Sequence, residues 1–96
     1  ITGGGITENV PRVLHGGLGA DIDTSSWEQG PVFDWLQEVG NIETDEMRRT
    51  FNCGVGMIVA VAEEDLEKTV GILTDSGESA WRIGRVTDAH DGVAFI

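Results

Sequence analysis

The chain has 96 residues, 40% of them hydrophobic, with one cysteine, fourteen glycines and a formal net charge of −11. That length holds one small domain, which buries only about 60–65% of its unfolded surface. Six Lys and Arg against seventeen Asp and Glu argue against a nucleic-acid surface, because phosphate backbones are held by clusters of cations. A single cysteine permits no intrachain disulfide and points to a reducing, cytoplasmic home. No apolar run approaches the ~18 residues that a membrane span requires.

Ile1-Thr2-Gly3-Gly4-Gly5 makes a glycine turn that feeds a helical stretch reaching Leu14, which Pro11 delays or kinks. Nothing precedes this turn and residue 1 is not Met, so the chain is expected to be a piece of something larger. Gly16-Gly17-Leu18-Gly19 reads as a flexible joint, Ala20–Asp23 as a short edge strand and Thr24–Ser26 as a turn. Pro31 suits the first position of a helix running to Val39 and ended by Gly40. Val32, Trp35, Leu36 and Val39 follow i, i+3, i+4, i+7, the spacing of one buried face. Thr44, with Asp45 and Glu46 behind it, opens a second short helix to Thr50.

Residues 54–62 alternate, with Val55, Met57, Val59 and Val61 on one face and Gly56, Ile58, Ala60 and Ala62 on the other. Both faces are apolar, which predicts a strand covered on both sides. Glu63-Glu64-Asp65 start a helix whose buried stripe is Leu66, Val70 and Leu73 and whose stop is Gly77. Ala80–Val86 alternates as a strand, and Gly92–Ile96 predicts a last one. Strand, helix and strand across about 54–86 make a β-α-β crossover of the usual right hand. The predicted class is α+β, a mixed sheet with helices packed on it.

Four features stand above this background. The glycine turn offers free N–H groups and the positive end of a helix dipole, which suits a phosphate. The alternative is a tight bend with no ligand, and the Lys-Ser/Thr end of a nucleotide-triphosphate loop is missing. The run Arg48–Met57 carries polar residues straight into the predicted strand, with Arg49 and Asn52 placed as anion and amide contacts or as ordinary loop residues. Cys53 has neither His15 nor His90 patterned beside it, which favours a buried structural thiol over a nucleophile. Glu63-Glu64-Asp65 is a helix start, and no spacing of His, Cys and carboxylates matches a metal site.

Taken together, ordered blocks resemble one family. Ile1-Thr2-Gly3-Gly4-Gly5 with Glu8-Asn9-x-Pro11-Arg12-Val13-Leu14 is similar to the signature of the aminoimidazole ribonucleotide synthetases, the phosphoribosylformylglycinamidine cyclo-ligases. Pro31-Val32-Phe33-x-Trp35-Leu36-Gln37, Met47-x-Arg49-Thr50-Phe51-Asn52-Cys53-Gly54-Val55-Gly56-Met57 and Ala80-Trp81-x-Ile83-Gly84 follow in the same order. Arg48 stands where the family often has an aromatic residue, and His15 where it commonly has a proline.

The resemblance implies that residues 1–96 are a single partial domain, the later part of the C-terminal domain, without the ATP-binding N-terminal domain. It implies an ATP- and Mg2+-dependent ring closure in the full-length enzyme: ATP activates an amide oxygen as a phosphate ester, and a ring nitrogen displaces phosphate. No cofactor is expected in this chain alone, which is expected to be inactive. Thr2, Gly3, Gly4, Gly5 and Asn9 carry over as contacts to the phosphate or ribose of a phosphorylated ribonucleotide, with Arg49 and Asn52 as further contacts; the residues that do the chemistry are not assigned. Implied partners are the missing domain and further copies of the chain, with no nucleic acid and no membrane. The competing expectation is a free-standing, non-catalytic binding module derived from the same family.

Overall fold

A computed structural model describes residues 2–96, so Ile1 of the glycine turn lies outside the described residues. Helix α1 spans Gly5–Asn9 and tightens into a 3-10 turn at Val10–Val13, where Pro11 removes a backbone donor. Strand β1 is Gly19–Ile22, followed by a 3-10 turn at Thr24–Ser26. Helices α2 (Pro31–Gly40) and α3 (Thr44–Thr50) come next. After a long extended segment, a 3-10 turn at Glu63–Asp65 leads into α4 (Leu66–Asp75). Strands β2 (Gly84–Thr87) and β3 (Gly92–Phe95) complete the α+β fold.

The helix ends follow from local chemistry. Pro31 occupies the first turn of α2, where a missing N–H costs nothing. Asn41 then takes the left-handed conformation at φ 49°, with its N–H on Glu38 O and the Ile42 N–H on Gln37 O. Gly77 does the same for α4, at φ 95°, as Gly77 and Glu78 donate to Thr74 O and Leu73 O. Both closures satisfy carbonyls that the helix end would otherwise leave orphaned.

The sheet order is β2-β1-β3, with β1 antiparallel to β2 and parallel to β3. Strand β1 was expected at an edge, and it lies in the centre. Because β2 and β3 flank it, the four residues joining them must cross over its start, where Gly19 pairs with both Thr87 and Gly92. A Cβ on Gly19 would sit 2.4 Å from His90 O, so only glycine admits the crossing loop. Gly84 has an equivalent role on the other side, its missing Cβ lying 1.9 Å from Asp21 O.

The core is small. Ile6, Ala20, Ile22 and Val55 are buried, with Val10, Leu14, Trp27, Ile58, Trp81, Ile83, Val93 and Phe95 packed partly against them. Met47 of α3 is fully buried, and α1 packs between α3 and β3.

Two expectations fail here. Residues 55–62 run extended but form no ladder with any described strand, so the predicted β-α-β crossover over 54–86 does not form. Their alternation defines two apolar faces, but β1 already has a neighbour on each side, and Met57 is left 84% exposed. The strand expected at 80–86 is correspondingly displaced to Gly84–Thr87, where it pairs with β1. The apolar stripe of α2 also lacks cover, with Val32, Trp35 and Val39 each more than 60% exposed. The stripe of α4 fares better: Leu66, Val70 and Leu73 are half-buried around a wide concavity.

Candidate functional site

The glycine turn and the Arg48–Val55 run, far apart in sequence, fold against each other. Thr2 donates its N–H to Thr50 O at 2.7 Å. Gly5, at φ 55°, packs so tightly on the end of α3 that a Cβ would lie 1.9 Å from Arg48 O and 3.1 Å from Phe51 O. Its lack of a side chain therefore serves helix packing first. Gly4 takes φ 106°, and the Glu8 carboxylate covers the space its Cβ would fill. Gly3 has nothing within 4 Å of that position and is open to solvent.

Much of the turn's polar capacity is already engaged. Gly4 donates to Thr2 O at 3.0 Å, and Gly5 donates to Thr2 Oγ1 at 2.9 Å. Asn9 Nδ2 donates to Gly3 O and Gly5 O, holding the turn shut, while its Oδ1 accepts from the Arg12 guanidinium at 2.6 Å. Arg12 was not singled out from the sequence. Its i, i+3 spacing from Asn9 was the available signal, and it brings a cation beside the turn.

The second motif is a reverse turn. Val55 donates to Asn52 O at 3.0 Å, and Cys53 and Gly54 take φ 53° and 94°. Asn52 Oδ1 accepts from the Gly54 N–H at 2.9 Å, so this side chain builds the turn. Trp27 Nε1 donates to Cys53 O at 2.9 Å and fixes the turn beneath the Trp27–Gln29 segment. Cys53 is buried, its Sγ 3.5 Å from Met47 O. Burial pushes its thiol above its ordinary value, and the Arg48 charge pulls it only partly back. A protonated, covered thiol is a poor nucleophile, in agreement with the structural reading.

Thr2, Gly5, Asn9 and Asn52 line one open concavity of about 1720 Å³, bounded on its far side by residues 54–62 and α4. Arg49 does not join them. It lines a separate cleft of about 160 Å³ with Thr7, Asp45, Val93 and Phe95. Arg48 lies over the Phe95 ring with its guanidinium 4.2 Å from the centroid. Among the described residues, no three His, Cys, Asp or Glu side chains converge as a metal-binding group. No described helix is long and apolar enough to cross a membrane.

Comparison with known proteins agrees with the motif order. A phosphoribosylformylglycinamidine cyclo-ligase from Nitrosococcus oceani is 57% identical over 98 residues, covering 99% of this chain and 27% of that protein. The protein of the same name from Neisseria meningitidis serogroup C is 56% identical over 88 residues, covering 92% of this chain and 26% of its own length. The chain thus spans about a quarter of the length of the curated relatives it matches. The family described as AIR synthase related protein, C-terminal domain, matches residues 1–96, and the chain belongs to it.

Proposed function

We propose that this chain is the substrate-side portion of a purine-biosynthesis cyclo-ligase that converts formylglycinamidine ribonucleotide to aminoimidazole ribonucleotide with ATP hydrolysis. The observation that supports this reading is the meeting of the two family motifs on the rim of one concavity, with Thr2 bonded to Thr50. In this proposal Thr2, Gly3, Gly4, Gly5 and Asn9 face the phosphate or ribose of the ribonucleotide. Gly3 is the open approach, and Arg12, tethered by Asn9, supplies positive charge. The Glu8 carboxylate swings off Gly4 when an anion arrives, since two negative charges cannot share that position. Asn52 shapes the same rim, whereas Arg49 acts from the neighbouring cleft.

ATP and Mg2+ serve the whole enzyme in this reading, and the described residues offer no cluster to which the metal is assigned. Residues of a longer polypeptide fill the concavity and pair with 55–62, and the whole protein is a homo-oligomer. The chain alone turns over no ATP.

Kinetics of the full-length protein test the placement. Gly3→Ala adds a methyl group into open space and leaves the fold intact, while Arg12→Ala removes one charge-assisted contact worth about 1.5–3 kcal/mol. Each raises KM for the ribonucleotide roughly tenfold or more and leaves KM for ATP unchanged. Unaltered ribonucleotide KM in both variants would remove the glycine turn from the substrate site.

A further inference from the structure

The loop that crosses the start of β1 carries His90, and both nitrogens of its ring face oxygen acceptors. Nδ1 lies 2.8 Å from Asp91 O, and Nε2 lies 2.7 Å from Asp21 Oδ1 on β1. A backbone carbonyl and an ionised carboxylate can only accept hydrogen bonds. A neutral imidazole, with one N–H, satisfies one of these two contacts and turns a lone pair toward the other oxygen. Only the imidazolium donates to both.

Nothing in the loop's own geometry replaces the lost contact. The loop spans two strand spacings, about 9.6 Å, in four residues. It lies directly on Gly19, whose absent Cβ would meet His90 O, Gly92 O and His90 Nδ1 within 2.8 Å. Thr87 Oγ1 accepts from the Ala89 N–H at 3.1 Å and steadies the first half of the crossing. The Asp21 contact holds the second half onto the central strand.

We propose that His90 is a protonation-dependent clasp: as the imidazolium it ties the 88–91 loop across the start of β1 through both acceptors, and as the neutral ring it keeps one of them and gives up the other. The device sits apart from the glycine turn and does not depend on the proposed function.

The charges that act on His90 are few. Asp21 reaches it from β1, and Asp91 adds its backbone carbonyl and its charge from within the loop. Arg85 on β2 approaches the far oxygen of Asp21, with Nε 3.7 Å from Oδ2. Strand β3, Gly92–Phe95, carries no titratable side chain. The Asp91 carbonyl, followed by the Asp21 carboxylate, holds the imidazole above its ordinary value of 6.5. For a group raised in the folded state, stability is fully present below 6.5 and fades as pH rises through the raised value. The clasp is therefore closed in mild acid and open in base.

Two variants of the full-length protein separate this device from ordinary packing. His90→Gln keeps a polar side chain that does not titrate. Asp21→Asn offers an amide N–H that can donate to the lone pair of a neutral ring, so it preserves the contact and removes the demand for charge. The readouts are the His90 imidazole carbon shift against pH, assigned by its loss in His90→Gln, and melting temperature against pH. The clasp predicts a wild-type titration midpoint above 6.5 that falls in Asp21→Asn. It also predicts a wild-type advantage over His90→Gln that is largest near pH 6 and shrinks toward pH 9. A wild-type midpoint at or below 6.5, a midpoint that Asp21→Asn leaves unmoved, or a melting gap independent of pH would each overturn it.

Discussion

Replacing Gly5 by alanine separates helix packing from ligand approach at the glycine turn. Two costs follow from the backbone. At φ 55° an alanine occupies the left-handed region, which costs about 1–2 kcal/mol for a residue with a β-carbon. The new methyl would also lie 1.9 Å from Arg48 O, more than 1 Å inside the 3.0 Å that side-chain carbons essentially never breach. A carbonyl within helix α3 has little room to retreat, because Met47 beside it is fully buried. Forcing such a shift adds about 1–3 kcal/mol, as overpacking does elsewhere. Gly5→Ala is therefore expected to destabilise the fold by about 2–5 kcal/mol in equilibrium denaturant unfolding, whereas Gly3→Ala, with open space around it, leaves the midpoint within about 0.5 kcal/mol of wild type. A loss below about 1 kcal/mol for Gly5→Ala would refute the claim that this glycine exists to admit α3.

Three further outcomes are expected. Met47→Ala, at the most buried side chain, loses about 2–5 kcal/mol in the same unfolding experiment. A thiol reagent modifies Cys53 only at the rate at which the protein opens, so labelling accelerates sharply in denaturant; rapid labelling of the folded protein at neutral pH would contradict its burial. In hydrogen exchange, amides of residues 56–62 exchange quickly in the 96-residue chain while those of β1 are protected, and copies of the chain associate through the open edge. Slow exchange at 56–62 in a strict monomer would show that the segment is satisfied without a partner.

Local chemistry was legible in the sequence, and long-range partnership was not. Pro31 and the spacing of Val32, Trp35, Leu36 and Val39 predicted α2, and Gly77 marked the end of α4. The alternation over 54–62 predicted a strand covered on both sides, yet a strand is completed by a neighbour, and none of the described strands supplies one. The centre of the sheet was hidden for the same reason: β1 meets β3 across some 70 intervening residues, and no periodicity encodes that pairing. At the site, the two motifs were visible but their division of labour was not. Gly5 serves the Arg48 carbonyl, Asn52 builds its own turn, and Arg49 faces a different cleft. The Gly5 and Arg49 roles depend on contacts that form only once α1 rests on α3, whereas the Asn52 turn is local.

The proposed function requires that a full-length protein carrying this chain close an imidazole ring. Full-length protein supplied with ATP and formylglycinamidine ribonucleotide should release one phosphate for each aminoimidazole ribonucleotide formed. Failure to release phosphate and to form the imidazole, with a correctly folded protein, would contradict the proposed function.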